Sequence, residues 1–304
     1  GDPLFNIYMY ALQESDGTFM SREARLYADT LVTETFQQVA ANGNSLPAEA
    51  AIALNLWMYV VHLLHKALND CKNKEIRDDD GVHSMDVAVA YWIGDGQIAG
   101  AADRGHLLYA LAEEMGDNFN TVGAAGEAKA NTNILRLFNE AKNEIALPGA
   151  CSDNPGTFIR MRHIVNRLVP QMAVPLIQAL IHNLRANDRA RVKIYAAAVV
   201  PMFAGCSQNT FSELKNKLIH MNYNVVEVED IVALLGTAYS CLGLQCGDIG
   251  KHMSEQADAA PACDADDVFR PLAGYKPASD VRQYARLDLD LRQLDILMQM
   301  KAFE

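Results

Sequence analysis

Residues 57–71 read WMYVVHLLHKALNDC, and this run sets the architecture expected of the chain. Its apolar side chains fall on nearly every side of a 3.6-residue period. A helix without a broad polar face has to be surrounded by other helices, so this one is expected at the centre of a bundle. It reaches back to the break NGNSLP (42–47), where Pro47 suits a first helical turn, and forward to about Asn69. Upstream, apolar Leu26, Leu31, Val32, Phe36 and Val39 predict a helix over about Ser21–Ala41.

Working onward, KNKEIRDDDG (72–81) reads as a solvated loop. Helices are expected over Asp86–Ile93, ended by the glycines of GDG, then Leu107–Met115 and Thr132–Ile145. LPGACSDNPG (147–156) is a clear break. After it comes a long helical pattern over Phe158–Leu184, interrupted or kinked at Pro170 and Pro175. Further helices are expected over Arg191–Phe203, Phe211–His220, Val228–Leu242 and Leu289–Met300. NYNVVEVE (222–229) is the one strand-like run, and Gly247–Lys276 reads as ordered loop.

The fold class is therefore all-α: helical bundles in one compact unit of residues 1–304, with long C-terminal loops. Pseudo-repeated halves, 1–150 and 151–304, are suggested by a recurring unit. WMYVVHLLHKALNDC is followed by the small-residue helix DVAVAYWIG, and PLIQALIHNLRAND by KIYAAAVV.

Composition narrows the function classes. Half of the residues are hydrophobic, which supplies a core and argues against disorder. The net charge of −12 argues against general affinity for nucleic acid or anionic membrane. No run of 18 consecutive apolar residues occurs, so no transmembrane helix is expected. The chain opens GDPLFN, with neither an initiator Met nor a signal peptide, as a mature or trimmed secreted product would; no N-x-S/T sequon is present. Six cysteines, at 71, 151, 206, 241, 246 and 263, lack CxxC or zinc-finger spacing; their even number fits three disulfides in an oxidising compartment or six reduced buried thiols. GxSxG, HExxH, Walker A and GxGxxG motifs are absent, and the expectation is that the protein is not an enzyme.

What remains is a set of oxygen and nitrogen donors inside apolar helices. Asn55, Tyr59, His62 and Lys66 share one face of the central helix, either as a hydrogen-bonded core stripe or as metal donors. The segment DVAVAYWIGDGQIAGAADRGHLLYALAEE supplies Asp86, Tyr91, Asp95, His106, Tyr109, Glu113 and Glu114. Carboxylate, phenolate and imidazole together suit ferric iron, a hard cation. Arg160, His163 and Arg167 lie at i, i+3 and i+7, a face that suits an anion or a salt-bridged surface.

At these residues the chain resembles a family. DVAVAYWIGDG and GHLLYALAEEMGDNF, followed by ANTNILRLFNEAKNEIALPGAC, QMAVPLIQALIHNL, YSCLGLQCGDIG and AGYKPASDVRQYARLDLDLRQLD, are similar in order to the low-iron-inducible periplasmic proteins of green algae and their phytotransferrin relatives. The likeness runs from about Trp57 onward. It departs at Met115 and Gly116, where the family often has a cysteine. The resemblance implies a secreted, periplasmic or cell-surface protein of iron assimilation that binds Fe3+, with carbonate as co-bound anion in the phytotransferrin branch. It implies a cell-surface receptor or self-assembly partner, and it supports disulfides among Cys71, Cys151, Cys206, Cys241, Cys246 and Cys263. The expected ligands are Asp86, Tyr91, Asp95, Tyr109 and Glu113, with His62 or His106 as nitrogen donors and Arg160 and Arg167 on the anion. The rival expectation is a structural or interaction subunit of an algal extracellular assembly, with the fold but no metal site.

Overall fold

The structure is a computed structural model that describes residues 11–12, 16–19, 22–42, 46–74, 80–154, 156–205, 208–254, 291 and 298. Two two-residue strands, β1 (Thr18–Phe19) and β2 (Arg22–Glu23), pair antiparallel, with Thr18 opposite Glu23. They are the only sheet among the described residues, and every named element that follows is helical.

Helix α1 is Tyr27–Asn42, and α2 runs over Leu46–Asn73. Within α2, Ala51–Leu56 is a π-helical segment, a wider turn that often marks a functional position. Lys74, in the left-handed conformation, ends α2. Next come α3 (Asp80–Ile93), α4 (Leu108–Asn118) and α5 (Lys129–Ile145). The longest helix, α6 (Gly156–Arg185), is followed by α7 (Arg189–Val199) and a 3-10 turn over Val200–Phe203. Then come α8 (Gln208–Leu214) with a π-helical extension Lys215–Ile219, α9 (Val228–Leu242) and α10 (Cys246–Ile249). Leu291 and Met298 are helical; the rest of the expected Leu289–Met300 helix, and 255–276 of the expected loop, lie outside the described residues.

The expected all-α class holds, and the central position of 57–71 holds with it. Trp57, Val60, Val61, Leu64 and Ala67 are buried, α2 packs chiefly on α3, and it also touches α6. Helix α6 is the second spine. It contacts α5 and α7 most extensively, and α2, α4 and α10 besides. Contrary to the expected interruption, α6 is continuous through Pro170 and Pro175. Buried Leu168, Met172, Leu176 and Leu180 line it, and that packing offsets the backbone hydrogen bonds a proline removes. The buried apolar side chains of these helices form one continuous cluster. Both recurring units noted in the sequence fold as a long helix packed on the small-residue helix that follows it, α2 on α3 and α6 on α7.

One strand-like reading is overturned. Val225–Glu227 is a 3-10 turn leading into α9. Asn224 opens it with a capping box in which its backbone N–H donates to Glu227 Oε2 at 2.7 Å, and this local pairing overrides the β-propensity of the valines.

Cys71 at the end of α2 is disulfide-bonded to Cys151 in the loop after α5, across a sequence separation of 80. Closing so long a loop lowers the entropy of the unfolded chain by an amount worth about 4 to 5 kcal/mol. Cys241 and Cys246 are also disulfide-bonded, and Cys206 and Cys263 lie outside the described residues. Leu46–Asn73 and Gly156–Arg185 are long and apolar enough to cross a membrane by length and composition, unlike the expectation from uninterrupted runs. Their most apolar windows are 56% and 72% buried inside the fold, as core helices are.

Candidate functional site

The donors expected from the sequence divide into three places. Tyr109 and Glu113 are buried on the face of α4 that meets α5. Glu113 Oε2 accepts from the backbone N–H of Ala128 at 2.9 Å, the residue capping α5, so its charge sits at that helix's positive end. Glu113 Oε1 accepts from Asn131 Nδ2 at 2.6 Å. Asn131 also donates to the Tyr109 carbonyl at 2.9 Å and accepts from Trp92 Nε1 at 3.0 Å. Gly116 permits this close approach: a Cβ there would lie 2.7 Å from Ala128 Cβ. The Tyr109 hydroxyl has the Gly100 backbone amide and the Glu113 carboxylate as hydrogen-bonding neighbours. Burial, with the charges of Glu113 and Glu127, pushes its phenol up to about 12. This network locks α3, α4 and α5 together.

Asp86, Tyr91 and Asp95 are exposed along and just after α3. Tyr91 packs edge-on to Tyr59 at 5.1 Å, and Tyr59 stacks on His62 at 6.1 Å. Lys66 bonds Asp70 at 2.9 Å and Ser84 Oγ at 3.1 Å. The stripe on α2 is thus an aromatic and ion-paired seam with α3. Arg160 and Arg167 do not present a bare anion-binding face. Arg160 donates to Glu144 Oε2 at 2.6 Å and Arg167 to Glu140 Oε2 at 3.3 Å, which ties α6 to α5.

His106 goes elsewhere. It lines a cleft of about 490 Å3 between the start of α2, the loop and first turns of α4, the end of α6 and the start of α7. Ile52, Leu107, Leu111 and Met115 supply apolar wall, while Glu49, Glu114, His182, Asp188, Arg191 and Tyr195 supply polar groups. Glu49 stands two residues before the π segment of α2. Glu114 follows Glu113 on α4, and a step of one residue turns a helical side chain by about 100°, away from α5 and into the cleft.

Two features of the cleft matter chemically. Arg191 is a fork between two carboxylates: Nε donates to Glu49 Oε2 at 2.7 Å, Nη2 to Glu49 Oε1 at 2.8 Å, and Nη1 to Asp188 Oδ2 at 2.7 Å. Asp188 also caps α7, accepting from the Arg191 backbone N–H at 3.1 Å. Burial opposes ionisation of Asp188, but these contacts to Arg191 hold its carboxyl below the usual range. Tyr195 is the second feature. It is 4% exposed, and its hydroxyl has no hydrogen-bond partner among the described residues. Burial first, then the nearby Glu49 and Glu114 carboxylates, push its phenol well up.

Sequence reading missed Glu49, Asp188, Arg191 and Tyr195, and noted Glu114 without choosing it. Tyr195 carried the available signal: one phenol in the otherwise small, apolar stretch KIYAAAVV. Among the described residues, no three His, Cys, Asp or Glu side chains are grouped closely enough to hold a metal ion.

The class that fold and site define is a disulfide-braced all-helical protein with an acidic, histidine-bearing cleft at one end of its two long helices. No family model, curated protein or solved structure matches the chain.

Proposed function

We propose that the protein captures ferric iron at a cell surface or in a periplasmic or secreted setting, for iron assimilation, and that the cleft is where it does so. The observation that carries this is the cleft, where Tyr195 lines the wall with Glu49, Glu114, His106 and His182. Glu49, Glu114 and a Tyr195 phenolate are three hard oxygen donors whose summed charge balances Fe3+. The same carboxylates that resist ionisation of the phenol in the cation-free protein become its co-ligands once a trivalent cation arrives. Arg191 then offers a guanidinium to a co-bound anion such as carbonate. The disulfides fit an oxidising compartment, and the resemblance to low-iron-inducible proteins supports the metal.

Metal analysis after exposure to ferric nitrilotriacetate, with and without bicarbonate, tests this. Stoichiometric iron is expected, with loss in Tyr195→Phe and in Glu114→Gln. Metal-free protein under both conditions overturns it. One finding favours a second reading, an interaction module of an extracellular assembly: Glu49 and Asp188 are already paired with Arg191, and the described residues hold no ready-made metal cluster. That reading predicts no iron and a defined oligomer or partner complex.

A further inference from the structure

We infer that the hydrogen bond between His182 and His252 is a proton-sensitive latch, which fastens the strap after α10 to the end of α6 and opens on acidification. The latch belongs to the ligand-free protein and is independent of what the cleft binds.

The strap, Gly250–Ser254, runs between the ends of α4 and α6. The backbone N–H groups of Lys251 and Met253 donate to the Phe119 and Asn118 carbonyls at 3.0 and 2.9 Å. Asn120 Nδ2 donates to the Lys251 carbonyl at 3.2 Å. Gly250 permits this approach, because its φ is +75° and a Cβ there would lie 2.4 Å from the Phe119 carbonyl oxygen. Two side chains one turn apart on α6 meet the chain from the other side. Gln178 Nε2 donates to the Ile249 carbonyl at 2.8 Å, and His182 Nδ1 lies 3.1 Å from His252 Nε2. His182 lines the cleft, whereas His252 is buried with its ring edge-on to Phe119 at 4.9 Å. The histidine pair thus joins the cleft wall to the strap.

One backbone group settles where the protons sit. A main-chain N–H can only donate, and that of Ser254 donates to His252 Nδ1 at 3.1 Å, with Ser254 Oγ 2.7 Å from the same nitrogen. His252 Nδ1 therefore keeps its lone pair, and the proton of that ring is on Nε2. His252 Nε2–H donates to His182 Nδ1, which leaves the His182 proton on its own Nε2. His252 has a further interaction, and the Ser254 N–H fixes Nδ1 irrespective of it. In the neutral pair each facing donor meets an acceptor. A third proton has two places to go. On His182 Nδ1 it faces the His252 N–H, and on His252 Nδ1 it faces the Ser254 N–H. Either way two donors are opposed and a bond of the latch is lost.

The charged neighbours act on His182 from several elements. In the cleft, Glu49, Glu114 and Asp188 favour a cationic imidazole, and Arg191, bonded to Glu49 and Asp188, opposes one. His106 and Tyr195 share the wall. Arg185, further along α6, is bonded to Glu229 of α9, and Lys251 is part of the strap. Together these groups set where the third proton arrives around the ordinary imidazole value of about 6.5; they do not change which bond it breaks. The latch is complete above that range and lost as pH falls through it.

Nuclear magnetic resonance of the full 15N-labelled chain tests this. At about pH 8, where an imidazole is neutral, both rings are expected to carry the proton on Nε2. Exchange of the Lys251 and Met253 amides, referred to buried amides of α6, is expected to quicken about tenfold or more on acidification to about pH 5. The double variant His182→Gln with His252→Gln supplies an acceptor and a donor that do not titrate, and it is expected to exchange slowly at both pH values. His252→Leu has no latch and is expected to exchange fast at both. A proton on Nδ1 of either ring at the higher pH overturns the inference. So does an unaltered protein without the pH step, or a step that persists in the double variant. Those three readings decide the matter even where His252→Leu does not fold.

Discussion

Tyr109 and Tyr195 are both buried phenols beside carboxylates, and they do opposite things. Tyr109 belongs to a closed circuit. Its carboxylate neighbour Glu113 is bonded by Asn131 and the Ala128 amide, and Asn131 by Trp92. Tyr195 belongs to an open one, with Glu49 and Glu114 near and no hydrogen bond to its hydroxyl among the described residues. A polar group paired within the core joins helices, whereas one on a cavity wall is left open to solvent or to a ligand. Residue type and spacing are alike in the two places. The state of the partners separates them.

The sharpest way to break this comparison is to open the closed circuit. Asn131→Leu strands the Glu113 carboxylate, the Trp92 N–H and the Tyr109 carbonyl, all buried, and is expected to cost about 3 kcal/mol or more in chemical denaturation. A loss under about 1 kcal/mol would mean that the network is not what locks α3, α4 and α5.

Exchanging the two phenols comes next. Tyr195→Phe is expected to leave stability within about 1 kcal/mol of the parent while lowering iron affinity tenfold or more. Tyr109→Phe is expected to do the reverse, costing about 1 kcal/mol with iron affinity unchanged. Equal effects of both changes on iron uptake, read by equilibrium titration, would erase the distinction.

Two pH windows sharpen it further. Because the folded protein holds the Tyr109 phenol at about 12, above its ordinary 10.0, the neutral form contributes stability that is complete below pH 10 and lost as pH rises towards 12. Denaturation midpoints should fall across that alkaline window and fall less in Tyr109→Phe. Iron binding has the opposite sense: each proton the metal displaces weakens apparent affinity about tenfold per pH unit of acidification. Titrations at neutral and mildly acidic pH that give equal affinity would count against a Tyr195 phenolate.

The smallest effects belong to the surface pairs. Arg160→Gln and Arg167→Gln are expected to cost under about 1 kcal/mol each, because their partners Glu144 and Glu140 are partly solvated. The bicarbonate dependence of iron uptake should not change in either. A change there would restore Arg160 and Arg167 as anion ligands.

Much of the fold was legible in the sequence because helices and their packing faces are periodic. WMYVVHLLHKALNDC could only be central, and Val228–Leu242 was readable to the residue. The misreadings have local causes. NYNVVEVE has the β-branched content of a strand, yet Asn224 and Glu227 cap a turn there. Pro170 and Pro175 signal a break that the surrounding core prevents. The site was legible only in its chemistry. Which of the donors pair was not legible: Glu113 with Asn131, and Glu49 with Arg191, join residues far apart in the sequence.

The sequence by itself determined the helices, the position of 57–71 at their centre and the supply of hard donors. Those depend on interactions a few residues apart, which spacing records. Which donors meet, and which of them open onto the cleft, only the tertiary structure decided. Glu49 and Arg191 are 142 positions apart, and their meeting is a matter of how α2, α4, α6 and α7 close on one another.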